Sequence, residues 1–378
     1  MDFMRLNNTT WIPNQLIEGY SSLIWTERFS GAGDFEMHTP LIDATRALLK
    51  EGDFVTHLET KEVMIVETAL ITKNDEGVAE LVYTGRTVET FLENRESRRE
   101  DSAGLSNWLL PQRYTPGSAL GFLIYAGNIG NIYSSPSSDI LPNLALTLTN
   151  NTGTSQYWTY QNSSTYANLV NFMMNSGNGI RNKRPSGIRE VEWSYQADGL
   201  QNLLAVDPEP KLVMDIYKGF DRTLGQTNYT PVIFQYEDGH LKEASYLFTL
   251  KDFKNAVTVH HDLADNEVTL PGVFPSGWNK RGMAIDAGDT SGIPGGQQFL
   301  DYIQQIGTAA LMEHNKRVVI DSELSIAAPY KYKTHFDLGD KVTCLGSYGI
   351  VSSAIVTEYI RTEDFEGDRG FPTLVQAG

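Results

Sequence analysis

The chain has 378 residues, and 30 Lys and Arg against 47 Asp and Glu give it a net charge of −17. This balance argues against a general nucleic-acid-binding protein, which needs a basic surface. The 40% share of hydrophobic residues argues against a disordered chain. A single cysteine excludes an intrachain disulfide. No run of 18 apolar residues predicts a membrane span, and the first residues do not resemble a secretory signal peptide.

The first hundred residues predict a mixed α/β unit. Residues 20–29 predict a strand with Trp25 in its core, and a glycine-containing turn leads to a second strand at 35–38. We expect Gly31 and Gly33 in that turn to adopt backbone angles that other residues avoid. Thr39 and Pro40 predict the N-cap and first turn of a helix ending at Gly52. Further elements are predicted as strands at 55–59, 63–72 and 78–84 and as a short helix at 87–95.

The middle of the chain is almost free of charge. Between Tyr114 and Ile180 the only charged residue is Asp139. Such a segment is compatible with an interface to other subunits or with a neutral polar surface. Its periodicity predicts helices at 118–126 and 164–175 and a strand at 144–149.

The second half predicts strands and one long helix. A glycine-rich loop at 288–296 precedes that helix, which contains Phe299 and Ala310. No short solenoid repeat is found, and two β-rich units, one near each end, remain possible. The strands are predicted at 188–195, 211–217, 231–236, 244–250, 256–260, 318–326, 341–345 and 353–360.

Candidate chemical sites are few. Glu190 and Glu192 have a spacing compatible with a glycosidase pair, or with a solvated strand face. His260, His261 and Asp262 could bind a metal ion, although surface or core roles are favoured. A separate candidate is a Ca²⁺-binding loop, for which a structural reading is favoured; its residues are Asp262, Asp265, Asn266 and Glu267. Cys344 is expected to be buried, and the 288–296 loop lacks the lysine of a phosphate-binding loop. The sequence therefore predicts neither an enzyme nor a cofactor or metal site.

Three segments resemble one family. They are the run from Ser22 through Trp25 to Glu36, the run Gly85–Arg95, and the run Leu338–Thr343. They are similar to the tail-tip or baseplate hub proteins of long-tailed, non-contractile phages, which resemble in role the hubs of contractile tails. The residues that carry the resemblance are Trp25, Arg28, Gly31, Gly33, Asp34, Phe35, Gly85, Arg86, Gly339 and Asp340.

The resemblance implies an α+β, β-rich, multidomain fold with two β-barrel-like tube domains and a mixed α/β middle. We expect a hub domain at 1–100, a low-charge middle segment at 101–187 and a second hub domain at 188–285. The glycine-rich loop and helix at 286–316 and a β-rich segment at 317–378 complete the chain.

The resemblance also implies a structural role in the virion. We expect a homotrimeric ring at the tail tip that joins the tail tube to the tip, with the chain made in the host cytoplasm. Its expected partners are the distal tail protein, the tape-measure protein and other tail-tip proteins, while DNA passes without specific binding and the chain does not enter a membrane. Candidate acids for the ring's inner surface are Glu358, Glu363, Asp364, Glu366 and Asp368.

Two other functions remain open for a protein of this location. One is a cell-wall hydrolase built on the two glutamates named above. The other is a receptor-binding or carbohydrate-binding tail module, for which Trp158 or Trp193 could supply an exposed aromatic ring.

Overall fold

The computed structural model describes most of the two ends of the chain and short stretches of its middle. No helix among the described residues is long and apolar enough to cross a membrane. The described residues are 3–8, 11–29, 31–57, 59–60, 62–74, 77–94, 112–114, 144–149, 156–158, 179–183, 192–196, 199–203, 212–235, 237–261, 264–269, 275–287, 290, 295–314, 317–325, 328–345, 351–365 and 367–376.

The described chain is mainly β-structure, which confirms the β-rich prediction. Its helices are α1 (Asp43–Arg46), α2 (Gln297–Glu313) and two 3₁₀ helices, Val88–Asn94 and Gly277–Asn279. The strands are β1 (Phe3–Leu6), β2 (Pro13–Leu16), β3 (Ser22–Arg28), β4 (Asp34–Pro40), β5 (Phe54–His57), β6 (Val63–Lys73), β7 (Ala79–Thr87), β8 (Gln112–Tyr114), β9 (Leu144–Thr149), β10 (Gln156–Trp158), β11 (Gly179–Lys183), β12 (Glu192–Gln196), β13 (Gly199–Leu203), β14 (Leu212–Tyr217), β15 (Ile233–Gln235), β16 (Leu241–Thr249), β17 (Ala256–His261), β18 (Ala264–Thr269), β19 (Gly282–Asp286), β20 (Arg317–Leu324), β21 (Lys341–Leu345), β22 (Val351–Asp364) and β23 (Gly367–Gln376).

One sheet of 13 strands joins the two ends of the chain. Its order is β16-β20-β23-β22-β3-β4-β7-β6-β5-β1-β2, and β21 and β15 pair beside β22. Among the described strands no pairing closes this sheet into a barrel. The described strands of the middle form small separate sheets, β11-β14-β9, β10-β8 and β12-β13. The domain boundaries expected from the sequence stay a prediction.

The large sheet contains the same five-stranded arrangement twice. In the N-terminal module β3 pairs with β4, β4 with β7, β7 with β6 and β6 with β5, all antiparallel. In the C-terminal module β16 pairs with β20, β20 with β23, β23 with β22 and β22 with β21, again all antiparallel. If the five strands of each module are numbered along the chain, they lie in the sheet in the order first, second, fifth, fourth, third. The two modules therefore have the same topology.

The two modules also share a β-bulge. The register of the fourth and fifth strands shifts between Val66 and Thr68 in the N-terminal module and between Val356 and Glu358 in the C-terminal module. A bulge re-aims the rest of its strand. The equal position of the shift makes Val66 and Val356 equivalent residues.

A smaller unit is inserted between the first two strands of the C-terminal module. Strands β17–β19 form their own three-stranded sheet, and helix α2 packs on it through a separate apolar core that includes Val257, Ile303 and Leu311. The insertion starts at the end of β16 and returns at the beginning of β20, where Thr249 and Arg317 are paired. The long helix predicted from periodicity is confirmed here.

The helix predicted after β4 is wrong in its start and length. Pro40 still belongs to β4, opposite Glu80, and the Thr39 hydroxyl donates to the carbonyl oxygen of Leu81 at 3.1 Å instead of capping a helix. Thr39 and Pro40, whose residue types predicted a helix start, are therefore held in a strand by pairing with β7. Only the four residues of α1 are helical.

Candidate functional site

The two modules meet at a seam between β22 and β3. The strands pair antiparallel from Glu358 opposite Arg28 to Glu363 opposite Leu23. Arg28 Nε lies 2.6 Å from Glu358 Oε2, and the same guanidinium pairs with Asp34 on β4. Burial alone would lower the pKa of Arg28, but its hydrogen bonds to these carboxylates outweigh burial and raise that pKa. The resemblance motif residues Arg28 and Asp34 thus hold the seam together.

Each module has a Gly-Asp turn before its third strand. Gly52 N donates to Val66 O at 2.8 Å and Val66 N to Asp53 O at 2.8 Å. At the other turn Gly339 N donates to Val356 O at 2.7 Å and Val356 N to Asp340 O at 3.0 Å. Both glycines have positive φ, +85° and +83°. The two turns are therefore the same structural element, used once in each module.

Both aspartates of these turns are buried. Asp340 accepts hydrogen bonds from the Phe220 and Asp337 amides at 2.7 and 3.0 Å and from Arg222 Nε at 2.7 Å. Burial raises the pKa of Asp340 although these hydrogen bonds oppose it. Asp53 accepts from the Lys50 amide at 3.0 Å, three residues earlier, as Asp340 accepts from Asp337.

Sequence reasoning found only one of the two turns. The signal was available in a short repeated pattern: Gly-Asp, one variable residue, Val and Thr. It occurs at residues 52–56 and again at residues 339–343.

An aromatic ring from the N-terminal module covers the second turn. Phe29, the residue after β3, is buried in the C-terminal core and packs edge-on against Tyr217 with ring centroids 5.3 Å apart. A Cβ atom on Gly339 would collide with the Phe29 ring. At Gly52, in contrast, a Cβ would meet nothing within 4 Å. The Phe29 ring therefore covers the C-terminal turn at Gly339, whereas the N-terminal turn at Gly52 is uncovered.

A buried polar cluster ties β3 to the segment before β21. Glu27 accepts hydrogen bonds from Trp25 Nε1 at 3.0 Å and from the Tyr332 hydroxyl at 2.7 Å. Lys333 Nζ lies 3.1 Å from Glu27 and 3.2 Å from Glu62, which is also buried. Burial would raise the pKa of Glu27, but the Lys333 ammonium and the Tyr332 hydroxyl outweigh it, so the net shift is downward. The cluster stabilises the charged carboxylate inside the protein.

A second buried contact joins β22 to β5. Arg361 Nη1 lies 3.1 Å from His57 Nε2 and donates to Glu59 Oε2 at 2.6 Å. Burial and the neighbouring guanidinium lower the pKa of His57 to about 4. His57 is therefore neutral at physiological pH.

The resemblance residues Gly33 and Gly85 are explained by close packing. A Cβ on Gly33 would collide with the Thr26 carbonyl oxygen, and one on Gly85 with the Ile65 carbonyl oxygen and the Phe35 ring. Neither Gly31 nor Gly33 has a positive φ, so the expectation of special backbone angles in this turn is wrong. Gly31 has open space around it.

Trp25 lies in the N-terminal core, as predicted, and Phe35 lies there beside it. Trp25 is 1% exposed, and its ring stacks on Phe35 with centroids 6.1 Å apart and meets Phe3 edge-on at 5.8 Å. Arg86 lies on the opposite face of the sheet and bonds Glu67 and Glu93 through two hydrogen bonds each.

That opposite face, called the polar face below, carries more acids than arginines, and exposed Ile24 and Leu70 lie on it as well. Register and ion pairs place six acidic residues on it against three arginines. His38 lies among them, 2.9 Å from Glu36 and 3.2 Å from Glu80; burial would lower its pKa, but these carboxylates raise it. The acids are Asp34, Glu36, Glu67, Glu80, Glu358 and Asp364, and the arginines are Arg28, Arg86 and Arg369.

The predicted inner-surface acids are divided between two faces of the β22–β23 hairpin. Glu358 and Asp364 lie on the polar face, where Asp364 pairs with Arg369 at 2.6 Å. Glu363 and its cross-strand neighbour Asp368 lie on the other face, with Arg361, because side chains alternate along a strand. Glu366 lies outside the described residues.

The other candidates do not converge on a chemical site. His260 and Asp265 form an exposed pair at 2.7 Å, and His261 lies 2.7 Å from Asn266, on the other side of β17. Among the described residues no group of three His, Cys, Asp or Glu could hold a metal ion. Cys344 is buried, and burial raises its pKa to about 12.

Several candidates cannot be assessed from the described structure. Glu190 and Asp262 lie outside the described residues, as do the predicted helices at 118–126 and 164–175. Of the glycine-rich loop at 288–296, only Thr290, Gly295 and Gly296 are described. Glu192, Trp158 and Trp193 lie on β12 or β10, of which only the backbone is described.

Comparison with solved structures identifies the fold. A tail protein from Neisseria meningitidis MC58 superposes with a TM-score of 0.56 at 11% identity, over 100% of this chain and 98% of the other. The 43 kDa tail protein of prophage MuSo2 from Shewanella oneidensis gives 0.54 at 11% identity, over 100% and 98% of the two chains. Prophage tail protein gp18 from Listeria monocytogenes EGD-e gives 0.50 at 11% identity, over 100% and 95%.

Sequence comparison gives the family. No curated protein shows a significant match to the chain. The family model of the Siphovirus ReqiPepy6 Gp37-like proteins matches residues 3–370, which is nearly the whole chain. The chain therefore belongs to the Siphovirus ReqiPepy6 Gp37-like family, and its fold is that of phage tail proteins.

Proposed function

We propose that the chain is a structural hub protein of the phage tail tip, and that its copies form a closed ring around the path of the DNA. One observation carries the proposal: two modules of equal topology are joined within the chain by one edge-to-edge strand pairing, and among the described strands the two edges needed for the next such pairing have no partner. The distal tail protein, the tape-measure protein and other tail-tip proteins are the proposed neighbours.

The pairing inside the chain is the template. The fourth strand of the C-terminal module, β22, pairs beyond its bulge with the first strand of the N-terminal module, β3. The equivalent edges are β6 beyond its bulge and β16. Among the described strands, residues 68–73 of β6 pair only with β7, and β16 pairs only with β20.

The equivalence fixes a register for the contact between copies. Tracing the ladders from Val66 and Val356 across each module makes Trp25 equivalent to Tyr246. Because Arg361 lies opposite Trp25, its equivalent, Ile71, would lie opposite Tyr246 of a second copy. The same register places Leu70 opposite Leu247.

The composition of the β6 edge supports this contact. Leu70 and Ile71 are 55% and 53% exposed in the single chain. Natural edge strands are usually protected by charges, proline or bulges, and a long apolar edge is a template for another strand. Pairing with a second copy would cover both side chains.

A ring of this kind uses two different surfaces of each copy. Such a heterologous contact closes when the rotation per copy divides a full turn. Three copies would place six equivalent modules in the ring, which agrees with the homotrimer that the resemblance implies. The charge-poor middle segment remains a candidate for further contacts between subunits.

The polar face suits a channel for DNA. It carries more acids than arginines, and the whole chain has a net charge of −17. An acidic wall repels phosphate over a Debye length of about 8 Å in physiological salt, so DNA would pass without binding. Glu358 and Asp364 would contribute to this wall, whereas Glu363 and Asp368 lie on the other face.

Engineered cysteines test the ring. Ile71→Cys and Tyr246→Cys are introduced together into the chain of assembled phage particles, where the buried Cys344 is protected from oxidation. We expect disulfide-linked trimers after oxidation, and no links in either single variant. Particles in which the double variant stays monomeric would overturn the proposed ring.

A second candidate function, receptor or carbohydrate binding, is favoured by one exposed aromatic residue of the inserted unit. The Trp278 side chain is 102% exposed, in the 3₁₀ helix Gly277–Asn279, whose C-terminal end Asn255 holds by hydrogen bonds with Asn279 O at 2.7 Å and Arg281 N at 2.8 Å. An exposed tryptophan is a common binding anchor.

A glycan array probed with the full chain tests this second function. Binding that is lost in Trp278→Ala but kept in Phe365→Ala, which removes another exposed ring, would establish it. If the unmodified chain binds no glycan, the second function is excluded and only the hub role remains.

A further inference from the structure

The Phe29 ring covers the Gly339 turn, and each of these two residues has an equivalent in the other module. Within the single chain the equivalent residues are not in contact. Phe29 follows the first strand of the N-terminal module, and its amide donates to Thr357 O, at the bulge of β22, at 2.9 Å. From there its ring covers Gly339 in the core of the other module. One module thus reaches across the seam into the Gly-Asp turn of the next.

The same ladders identify the equivalent residues. If Trp25 corresponds to Tyr246, then Phe29 corresponds to Leu250, the residue after β16. The Gly339 turn corresponds to the Gly52 turn, through identical hydrogen bonds to Val356 and Val66.

The two positions differ in what covers them. Leu250 is 43% exposed, and Gly52 is exposed with nothing within 4 Å of a Cβ built on it. If Phe29 and Gly339 were on separate molecules, each would likewise be left uncovered. The exposed Leu250 and the uncovered Gly52 are therefore what a contact between two copies requires.

We propose that Leu250 of one copy packs over Gly52 of a second copy of this chain, as Phe29 packs over Gly339 within the chain. The inference rests on the proposed ring and adds to it a specific anchor beside the strand edge. The amide of Leu250 would donate to the Glu67 carbonyl of the second copy, the equivalent of Thr357.

The surroundings of the two residues carry charges of both signs. Lys251 and Asp252 follow Leu250 and are exposed, and Arg281 donates to the Leu250 carbonyl at 3.1 Å. On the other side, Lys50 and Glu51 precede Gly52 and are exposed. The apolar contact, and not a net charge difference, is therefore the basis of the proposed anchor.

The main-chain position of Leu250 is held in the single chain. Besides the bond from Arg281, the Phe253 amide donates to the Leu250 carbonyl at 3.2 Å. The leucine is therefore presented by an ordered turn, which lowers the entropy lost when it becomes buried.

The test uses the Ile71→Cys/Tyr246→Cys pair in assembled particles as the reporter of the ring. Adding Leu250→Asp is expected to reduce the yield of disulfide-linked trimer about tenfold. The matched control is Leu300→Asp, which changes a leucine of helix α2 with similar exposure, 51% against 43%, and should leave the yield unchanged. Leu250→Phe, which copies Phe29 at the internal seam, should keep or raise the yield.

The outcomes separate the two proposals. Trimers that form equally well with Leu250→Asp and with the control would overturn the Leu250 anchor while the ring stands. Absence of trimers even with the reporter pair alone would overturn the ring, and the anchor with it.

Discussion

The N-terminal and C-terminal modules have the same strand order, the same bulge and the same Gly-Asp turn, but only one turn is covered. Phe29 fills the space over Gly339, whereas the space over Gly52 is open. The difference teaches that the duplicated fold completes one of its two seams within the chain. In the proposed ring a second copy completes the other seam, whose edges have no strand partner among the described residues.

The modules also differ in how their first strands are anchored. In the N-terminal module, Trp25 and Glu27 of β3 reach a buried network that includes Lys333. In the C-terminal module, an inserted unit follows β16 directly. The predictions below test how far the internal seam depends on its buried groups, from the largest expected effect to the smallest.

The largest loss of stability is expected for Trp25→Ala. The change leaves a large cavity beside Phe35 and removes the hydrogen bond to buried Glu27, so we expect a loss of about 3–5 kcal/mol. Urea unfolding followed by fluorescence measures it. An unchanged midpoint would mean that Trp25 is not part of the core.

Lys333→Met should be nearly as damaging. It leaves two buried carboxylates, Glu27 and Glu62, without their ammonium partner, and breaking a buried ion pair in this way removes about 3–5 kcal/mol. The double variant with Glu27→Gln should regain part of the loss. If the single variant is as stable as the unmodified chain, the cluster does not hold the seam.

Acid should weaken the internal seam through His57. Its pKa is about 4 in the folded chain against an ordinary value of 6.5, so the unfolded state binds the proton more readily. Stability is therefore retained above pH 6.5 and falls as the pH drops towards 4, by up to about 1.4 kcal/mol per pH unit.

A matched variant isolates the His57 effect. His57→Gln removes the titration, so unfolding free energies measured between pH 7 and 4 should show a smaller slope than those of the unmodified chain. Equal slopes would mean that the acid sensitivity arises from other groups.

The smallest effect concerns the two kinds of glycine in the N-terminal module. Gly85→Ala places a methyl group against the Ile65 carbonyl and the Phe35 ring, and overpacking of this kind destabilises by about 1–3 kcal/mol. Gly31→Ala has open space and an ordinary φ, so thermal melting should change little. Equal effects of the two variants would contradict the packing explanation.

The sequence was a good guide to strands and to the core. Periodicity located most strands of both modules, because alternation records which face is buried. Trp25 as a core residue and the long helix after the glycine-rich loop are confirmed. Strands β1 and β2 were missed because four residues are too few to show alternation. Strand β23 was also missed; its sequence contains Gly370 and Pro372, which usually indicate a turn or loop.

The candidate site could be predicted only in part. Arg28 and Asp34 were identified by resemblance, but their shared partner Glu358 lies more than 300 residues away in the sequence. The buried network of Glu27 and Lys333 is equally non-local. Contacts of this kind follow from strand pairing between distant segments, which local patterns do not encode.

The central claim is that a second copy completes the seam left open by the first, and electron cryo-microscopy of the virion tail tip tests it most directly. The account predicts three copies in a ring, with residues 68–73 of β6 antiparallel to β16 of the neighbouring copy and Ile71 opposite Tyr246. A tail tip with one or six copies, or with the β6 edge paired to a different strand, would contradict it.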